Sequence, residues 1–132
     1  MAIEFRSLLR NEPGVVGGGV KKYYASIVLK GEVSVDMLVK DIEKFSSLSE
    51  SDILGVISAL EYVVETRLCD SQFVRFNRLG TLYPRINSKG VDTKEEVDHT
   101  LIIGRGIRYR PGKRLRDALS TAELKKVDIL HI

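Results

Sequence analysis

The chain has 132 residues, of which 43% are hydrophobic and 30% charged, proportions that are typical of one globular domain. It contains no run of 18 consecutive apolar residues, so the sequence predicts no membrane span and no membrane partner. The charged N-terminus lacks the apolar core of a secretory signal, and a single cysteine cannot form an internal disulfide. Both features favour a cytoplasmic protein.

The formal net charge of +3 is unevenly distributed along the chain. Residues 31–72 carry three basic and nine acidic side chains, whereas residues 73–132 carry thirteen basic and seven acidic ones. The segment from Arg105 to Arg116 contains six cations and no acid. This distribution predicts a polarised surface, which is either a binding site for a polyanion or a solvated basic edge.

The N-terminal region is predicted to form two strands. The alternation of Ile3, Phe5, Ser7 and Leu9 with Glu4, Arg6 and Arg10 predicts a short strand. The segment Asn11–Gly19 is rich in glycine and predicts a turn and flexible connector. The β-branched and aromatic composition of Tyr23–Lys30 predicts the second strand.

Two helices follow. Ser34 begins the first, whose apolar residues keep helical spacing as far as Phe45. Ser49 begins the second, which spans about twenty residues and has Asp52 in a capping position. The apolar stripe of the second helix is wider than the first helix can cover, so it packs against either a partner subunit or the chain's own sheet. The stripe comprises Ile53, Val56, Ile57, Leu60, Val63, Val64 and Leu68.

After Asp70 the repeat of apolar residues changes from helical spacing to every second residue, which predicts strands. Pro84 cannot donate to a β-ladder, so its strand is expected at a sheet edge or leaving the sheet there. Gly104 and Gly106 permit a bend or bulge in the last long strand. The predicted segments are a strand over Phe73–Asn77, a returning strand over Thr81–Ile86, a polar arm over Asn87–Asp98, a strand over Thr100–Arg110, a basic helix over Gly112–Leu119 and a final turn or strand within Thr121–Leu130.

The sequence offers no catalytic constellation. His99 and His131 are far apart and have no cysteine cluster beside them, so metal-ligand spacing is absent. Cys69, at the end of the long helix, is expected to be a small buried hydrophobe. The glycines of Gly14–Gly19 lack the Lys-Ser/Thr ending of a phosphate loop. We therefore expect no enzyme activity, metal, cofactor or small-molecule substrate.

The basic segment has the pattern of a phosphate-binding surface. Alternation places Arg108 and Arg110 on one face of their strand, and Ile103, Ile107 and Tyr109 on the other. Guanidinium groups and the free N–H groups at the start of the last helix both bind phosphate oxygens. The aromatic residues are few and not interleaved with the cations, which disfavours the recognition of single strands.

The order of these elements resembles the HU and integration-host-factor family of histone-like DNA-binding proteins. The elements are two helices, the segment VRFNRLGTLYPR, a polar arm and the segment IRYRPGKRLRDAL. Leu79-Gly80-Thr81-Leu82 stands where that family has an aromatic-Gly-Thr-Phe turn. Tyr109–Leu119 is similar to its last strand and C-terminal helix. The segments KYYASIVLKGEVSVDMLVKDI and SKGVDTKEEV resemble a longer HU-like subgroup with additional N-terminal strands.

The resemblance implies an α+β fold of HU type that forms an intertwined dimer. This fold has two N-terminal helices, a three-stranded antiparallel sheet with a protruding arm and a short C-terminal helix, with additional N-terminal strands in the subgroup. We expect a single domain over residues 1–132. Its parts would be an extension over 1–32, a core over 33–119, an arm over 87–99 and a tail over 120–132.

The function implied is that of a non-enzymatic architectural protein of the nucleoid. Such a homodimer grips the backbone and minor groove of double-stranded DNA, bends it and reads little sequence. The resemblance assigns phosphate contacts to Gly80, Thr81, Gly112 and Lys113. Charge and alternation add Arg78, Arg85, Arg105, Arg108, Arg110 and Arg114, and the arm contributes Lys89 and Lys94.

The arm departs from the family pattern. Residues 86–100 hold two lysines against four acidic residues and contain no proline, whereas the family's basic arm ends in an intercalating proline. An acidic arm is repelled by a duplex, which speaks against kinking by intercalation. The alternative function is an HU-like dimeric protein–protein assembly module that has lost DNA binding. RNA and a heterologous second subunit are further alternatives.

Overall fold

The computed structural model describes residues 1–128, which divide into two compact units. One unit comprises residues 1–32 together with the chain from Ala118 onward, and the other comprises Val33–Asp117. Residues 129–132, which include His131 and the end of the expected tail, lie outside the described residues. The single-domain organisation over residues 1–132 stays a prediction.

The fold is mixed α+β, as the sequence predicts, with three helices and two small sheets in the described part of the chain. None of these helices combines the length and apolar content that crossing a bilayer requires. Short 3₁₀ turns lie at Val16–Gly18, Lys94–Glu96 and His99–Leu101. The main elements are β1 (Ala2–Asn11), β2 (Lys21–Ile27), α1 (Val35–Glu43), α2 (Glu50–Cys69), β3 (Val74–Arg75), β4 (Thr81–Ser88), β5 (Ile102–Arg110), α3 (Lys113–Ser120) and β6 (Glu123–Lys126).

The first unit is a three-stranded sheet in the order β2-β1-β6. Strands β1 and β2 form an antiparallel hairpin, and the Arg10 guanidinium lies 4.5 Å from the centre of the Tyr24 ring across it. Strand β6 pairs with β1 in parallel, from Ala2 opposite Glu123 to Phe5 opposite Lys126. The C-terminal segment, expected as a turn or a strand, is therefore a strand over its first part.

Serine caps begin both long helices of the second unit, as the sequence predicts. The hydroxyl of Ser34 accepts from the Met37 N–H at 3.3 Å, and that of Ser49 accepts from the Asp52 N–H at 3.2 Å. Helix α2 has the expected twenty residues. Helix α1 has nine and ends before Phe45, whose side chain is left 91% exposed.

The second sheet is antiparallel and has the order β3-β4-β5. Strand β4 lies between β3 and β5 in the sheet order, but β3 pairs only with Thr81 and Leu82, so β4 lies at an edge of the sheet where it contains Pro84, as the sequence predicts. The sheet tolerates this proline because β3 reaches only as far as Leu82, and Pro84 pairs with β5 alone. Where β4 ends, the register shifts between Asn87 and Ser88, which produces a bulge near the predicted glycines.

The hydrophobic core is small for a chain of this length. Its buried apolar residues are Val39, Ile53 and Leu68. The chain exposes 11657 Å². Two separate compact domains of the sizes of the two units would together expose only about 8,300 Å². Apolar side chains of α2 account for part of the difference: Leu54, Val56, Leu60, Tyr62 and Val63 are 43 to 67% exposed.

Candidate nucleic-acid interface

One face of the second sheet is cationic. Directly opposed residues of antiparallel strands point to the same side, and Thr81 lies opposite both Arg75 and Arg110, whereas Tyr83 lies opposite Arg108. Arg85, two residues beyond Tyr83, continues this side. The cationic face is defined here by Phe73, Arg75, Thr81, Tyr83, Arg85, Arg108 and Arg110, and it contains no acidic residue.

A glycine on β5 allows Arg85 to lie across the neighbouring strand. Gly106 is the cross-strand partner of Arg85, and a Cβ atom placed on Gly106 would lie 3.0 Å from the Arg85 Nε. The Arg85 side chain therefore occupies the space that a larger residue would fill. This contact brings a third guanidinium over β5, the strand that also bears Arg108 and Arg110.

The opposite face of the sheet is mainly apolar and includes Arg105. Leu82 is paired with Tyr109, Pro84 with Ile107 and Ile86 with Arg105, so these six side chains share one side. The predicted separation of Arg108 and Arg110 from the apolar residues of β5 is present in the structure. Arg105 does not join them, because its position differs from those of Arg108 and Arg110 by an odd number, three and five, and side chains at odd spacing along a strand point to opposite faces.

The arginines of the cationic face are not neutralised by carboxylates. Over residues 1–128, the ion pairs involve lysines: Lys22 with Glu12 at 3.3 Å, Lys30 with Glu4 at 3.7 Å and Lys113 with Asp117 at 3.0 Å. Arg108 and Arg110 are exposed and their strand partners are uncharged. Their positive charge is therefore directed at solvent and is available to an anionic ligand.

Gly80 and Gly112 hold two backbone segments in contact. Gly80 has a φ of +118°, and a Cβ there would overlap the carbonyl oxygen of Arg110 and approach the Gly112 nitrogen to 3.0 Å. A Cβ on Gly112 would overlap the carbonyl oxygen of Arg78. The β3–β4 turn and the link from β5 to α3 thus pack backbone to backbone. This contact gives both glycines a steric role, and their expected approach to phosphate stays a prediction.

Tyr109, on the other side of the sheet, stabilises the β3–β4 turn. Its hydroxyl donates a 2.6 Å hydrogen bond to the carbonyl oxygen of Leu79. Thr81, which was expected to contact phosphate through its backbone, has an 8% exposed side chain at the base of the turn. These contacts fix the orientation of the strands that present the cationic face.

A second group of cations lies beside this turn. Arg78, Lys113 and Arg114 line a pocket of about 390 Å³ together with Asn77 and Asp117. Lys113 is paired with Asp117 in an exposed i,i+4 ion pair, which offsets part of its charge. The structure thus brings three predicted site residues together here, at the beginning of α3.

The predicted arm cations, Lys89 and Lys94, lie in a segment in which acidic side chains accept local hydrogen bonds. The Lys89 N–H donates to the carbonyl oxygen of Leu101 at 2.9 Å and closes the base of the arm. Beyond it, Glu96 accepts a 2.8 Å hydrogen bond from the Thr93 hydroxyl, and Asp98 accepts from the backbone N–H of Thr100 at 2.9 Å. Glu96 and Asp98 therefore have local structural roles in the arm.

Three residues of the cationic face are missing from the sequence-based site. Phe73 and Tyr83 stack with ring centroids 5.1 Å apart, and the Arg75 guanidinium lies 5.8 Å from the centre of the Phe73 ring. Phe73 and Arg75 alternate with Val74, and this alternation is the signal that would have placed them with Tyr83 once the hairpin register was known.

An apolar groove of about 960 Å³ lies between α2 and the apolar face of the sheet. Cys69 lines this groove and is exposed, so the expectation that it is a buried hydrophobe is wrong. The reason is that its own chain does not cover this end of α2. The apolar lining comprises Ile57, Leu60, Val64, Leu68, Phe76, Leu82, Pro84, Ile86 and Ile107.

Titratable groups elsewhere do not assemble into a further centre in the part of the chain that the structure describes. Within residues 1–128, no three His, Cys, Asp or Glu side chains are grouped as metal ligands. A hydrogen bond to Glu50, together with repulsion between the two carboxylates, raises the pKa of Glu43 at the turn between α1 and α2.

Comparison with known proteins matches residues 1–126 to the HU-HIG family, described as an HU domain fused to wHTH, Ig, or glycine-rich motif. The search of curated proteins found no significant match. The chain is similar to the crystal structure of a "putative bacterial DNA binding protein" from Bacteroides vulgatus, with a TM-score of 0.67 and 12% identity. The similarity covers 96% of this chain and 48% of that one, so the chain spans about half the length of that protein. Because the family model matches almost the whole sequence, the chain belongs to the HU-HIG family of HU-like domains.

Proposed function

We propose that this chain is a non-enzymatic architectural DNA-binding domain that acts as a homodimer in the nucleoid and binds duplex backbone with low sequence specificity. The observation that supports this most directly is the cationic face, on which Arg75, Arg85, Arg108 and Arg110 are presented without a carboxylate. The family membership and the name of the structurally similar Bacteroides vulgatus protein point to the same ligand.

A second copy of the chain is the proposed occupant of the groove between α2 and the apolar face of the sheet. The solvent-accessible surface of the chain is roughly 3,300 Å² larger than that of two separate compact domains with the sizes of the two units. An obligate dimer buries about 1,000–2,500 Å² per partner, so a dimer interface of ordinary size fits within this excess. Leu60 is 47% exposed at the groove, and covering it would complete the core.

The proposed dimer predicts a specific response to substitution. Leu60→Asp places a charge in the groove and should shift the equilibrium toward monomer, as measured by sedimentation equilibrium over a range of protein concentrations. Val16→Asp is the matched control, because Val16 is fully exposed on the hairpin of the first unit. A wild-type protein that remains monomeric at every concentration would contradict the dimer.

The binding mode follows from the arginines and from the arm. Guanidinium groups neutralise phosphates whatever the base sequence, so the cationic face confers affinity with little specificity. The proline-free arm uses Glu96 and Asp98 for its own hydrogen bonds, which leaves it unsuited to intercalation. The proposed grip on the backbone and minor groove therefore depends on the sheet and on the pocket of Arg78, Lys113 and Arg114.

Charge reversal on the two faces of β5 tests the proposal with an internal control. Arg108→Glu and Arg110→Glu should each weaken the binding of random-sequence duplexes severalfold, measured by fluorescence anisotropy. Arg105→Glu alters the same strand and the same net charge on the opposite face, which lines the groove of the proposed dimer. It is therefore compared at a protein concentration at which sedimentation shows all three variants to be dimeric, and there it should weaken binding much less. With about six phosphates neutralised per dimer, the log–log salt dependence should have a slope of roughly −5. Equal effects of all three variants would refute a role specific to this face.

The acidic arm favours the second candidate function, a protein–protein assembly module. Its carboxylates would be attracted to a basic partner and repelled by DNA. Replacing Asp92 and Glu95 with Asn and Gln leaves the hydrogen-bonding acids Glu96 and Asp98 in place. The DNA-binding proposal expects duplex affinity to rise in this variant, and unchanged absence of duplex binding would favour the assembly module.

A further inference from the structure

The centre of the cationic face holds a stacked aromatic pair. The rings of Phe73 and Tyr83 have centroids 5.1 Å apart and planes inclined by 26°, which is a stacked arrangement. The guanidinium of Arg75 lies 5.8 Å from the centre of the Phe73 ring. An aromatic surface and a cation therefore meet on the side of the sheet that bears the other unpaired arginines.

The pair is not buried as a core contact would be. The Phe73 side chain is 55% exposed, while Tyr83 is half-buried beneath it. The apolar face of the same sheet lies toward α2, so Phe73 is directed away from the groove where apolar groups collect. An exposed phenyl ring among arginines is the combination that binds a base through its π-face and the adjoining phosphates through cations.

We propose that Phe73 and Tyr83 form a stacking platform for an unpaired base, so that the cationic face binds single-stranded polynucleotide as well as duplex. This inference rests on the proposed binding of nucleic acid by the cationic face and adds a ligand class to it. Arg108, directly opposite Tyr83, and Arg75 beside Phe73 hold the phosphates that flank the stacked base. The proposed platform departs from the prediction, based on the scarcity of aromatic residues, that the recognition of single strands is disfavoured.

The chain contains no tryptophan, so a Phe73→Trp variant has a single indole reporter at the platform. Stacking of a base on this indole should quench its fluorescence. The probes are (dT)15, (U)15 and a fifteen-unit oligomer of abasic sites with the same phosphate charge. The first two distinguish DNA from RNA as the source of the unpaired base, and the third measures binding to the backbone alone.

A second variant measures what the ring contributes to affinity. Phe73→Leu retains an apolar side chain without a π-face and should weaken (dT)15 binding about tenfold, while changing the affinity for a blunt 20-base-pair duplex less than twofold. Phe73→Trp should retain or increase the affinity for (dT)15. Tyr23→Leu is the control, since Tyr23 is a 73% exposed aromatic residue on the other sheet and should affect neither ligand.

The outcomes separate this inference from the function on which it rests. Quenching by (dT)15 or (U)15 but not by the abasic oligomer, with selective loss in Phe73→Leu, supports the platform. Equal quenching by the abasic oligomer, or equal losses for single strand and duplex in Phe73→Leu, overturns it while duplex binding by the wild type still stands. If the wild type binds neither ligand, both proposals fail.

Discussion

Replacing Gly80 with alanine tests whether the turn that orients the cationic sheet depends on backbone contact. The new methyl group would overlap the carbonyl oxygen of Arg110 and lie 2.9 Å from a ring carbon of Tyr109. Neither neighbour is the flexible end of a long side chain. The φ of +118° at this position is also one that alanine adopts only with strain.

The two costs are additive to a first approximation. A sparsely populated backbone conformation costs about 1–3 kcal/mol, and overpacking against atoms that cannot retreat costs about 1–3 kcal/mol. We therefore expect Gly80→Ala to lower the free energy of unfolding by about 2–6 kcal/mol, a large part of the stability of a typical domain. Urea titration followed by circular dichroism, at one fixed protein concentration, measures this change.

Gly90→Ala is the matched control, because a Cβ at Gly90 meets no atom within 4 Å and the residue has no positive φ. It should change the free energy of unfolding by less than about 0.5 kcal/mol. If Gly80→Ala unfolds like the wild type but loses affinity for duplex DNA, the steric argument is refuted. Gly80 would then serve the close approach of a phosphate, as the resemblance to HU implies.

Three smaller changes test other contacts. Tyr109→Phe removes the hydrogen bond to Leu79 and should lower the free energy of unfolding by about 0.5–1.5 kcal/mol; an unchanged urea midpoint would contradict this contribution. Ser49→Ala removes the N-terminal cap of α2 and should cost about 1 kcal/mol in the same assay, and no loss would mean that the cap is dispensable. The pKa of Glu43 is raised above 4.5 by Glu50, so the stability linked to its protonation is present below pH 4.5 and is lost as the pH rises through the raised pKa. In Glu50→Gln that pKa should return toward 4.5, as followed by carboxyl NMR titration, and an unshifted titration would refute the pairing.

The elements with strong local signals could be predicted from the sequence. Helix α2 follows from a capping serine at Ser49 and a sustained apolar stripe, and the hairpin of β1 and β2 follows from alternation around a glycine-rich segment. The parallel pairing of β6 with β1 could not be predicted, because it joins distant segments and β6 is fully exposed. Pro84 indicates an edge position, which it has, but the sequence does not reveal that the short strand β3 pairs with Thr81 and Leu82 just before it.

The sequence predicts only part of the candidate site, because it shows local patterns along one strand but not the pairing between strands. Arg108 and Arg110 follow from strict alternation along β5, a local property. The prediction from charge and alternation also includes Arg105, but the register places it with Ile86 on the other side of the sheet. Phe73 could be assigned to the cationic face only once the pairing of β3 with β4 was known, since that pairing is what brings it to Tyr83.

The central claim is that one face of the β3-β4-β5 sheet binds nucleic-acid phosphate. NMR of arginine side-chain Nε–H groups during titration with a random-sequence duplex tests it most directly, because each guanidinium reports its own contact. The resonances of Arg85, Arg108 and Arg110 should shift together and return when salt is added, while that of Arg105 stays in place. A shift of Arg105 with the other three unchanged would contradict the assignment of this face.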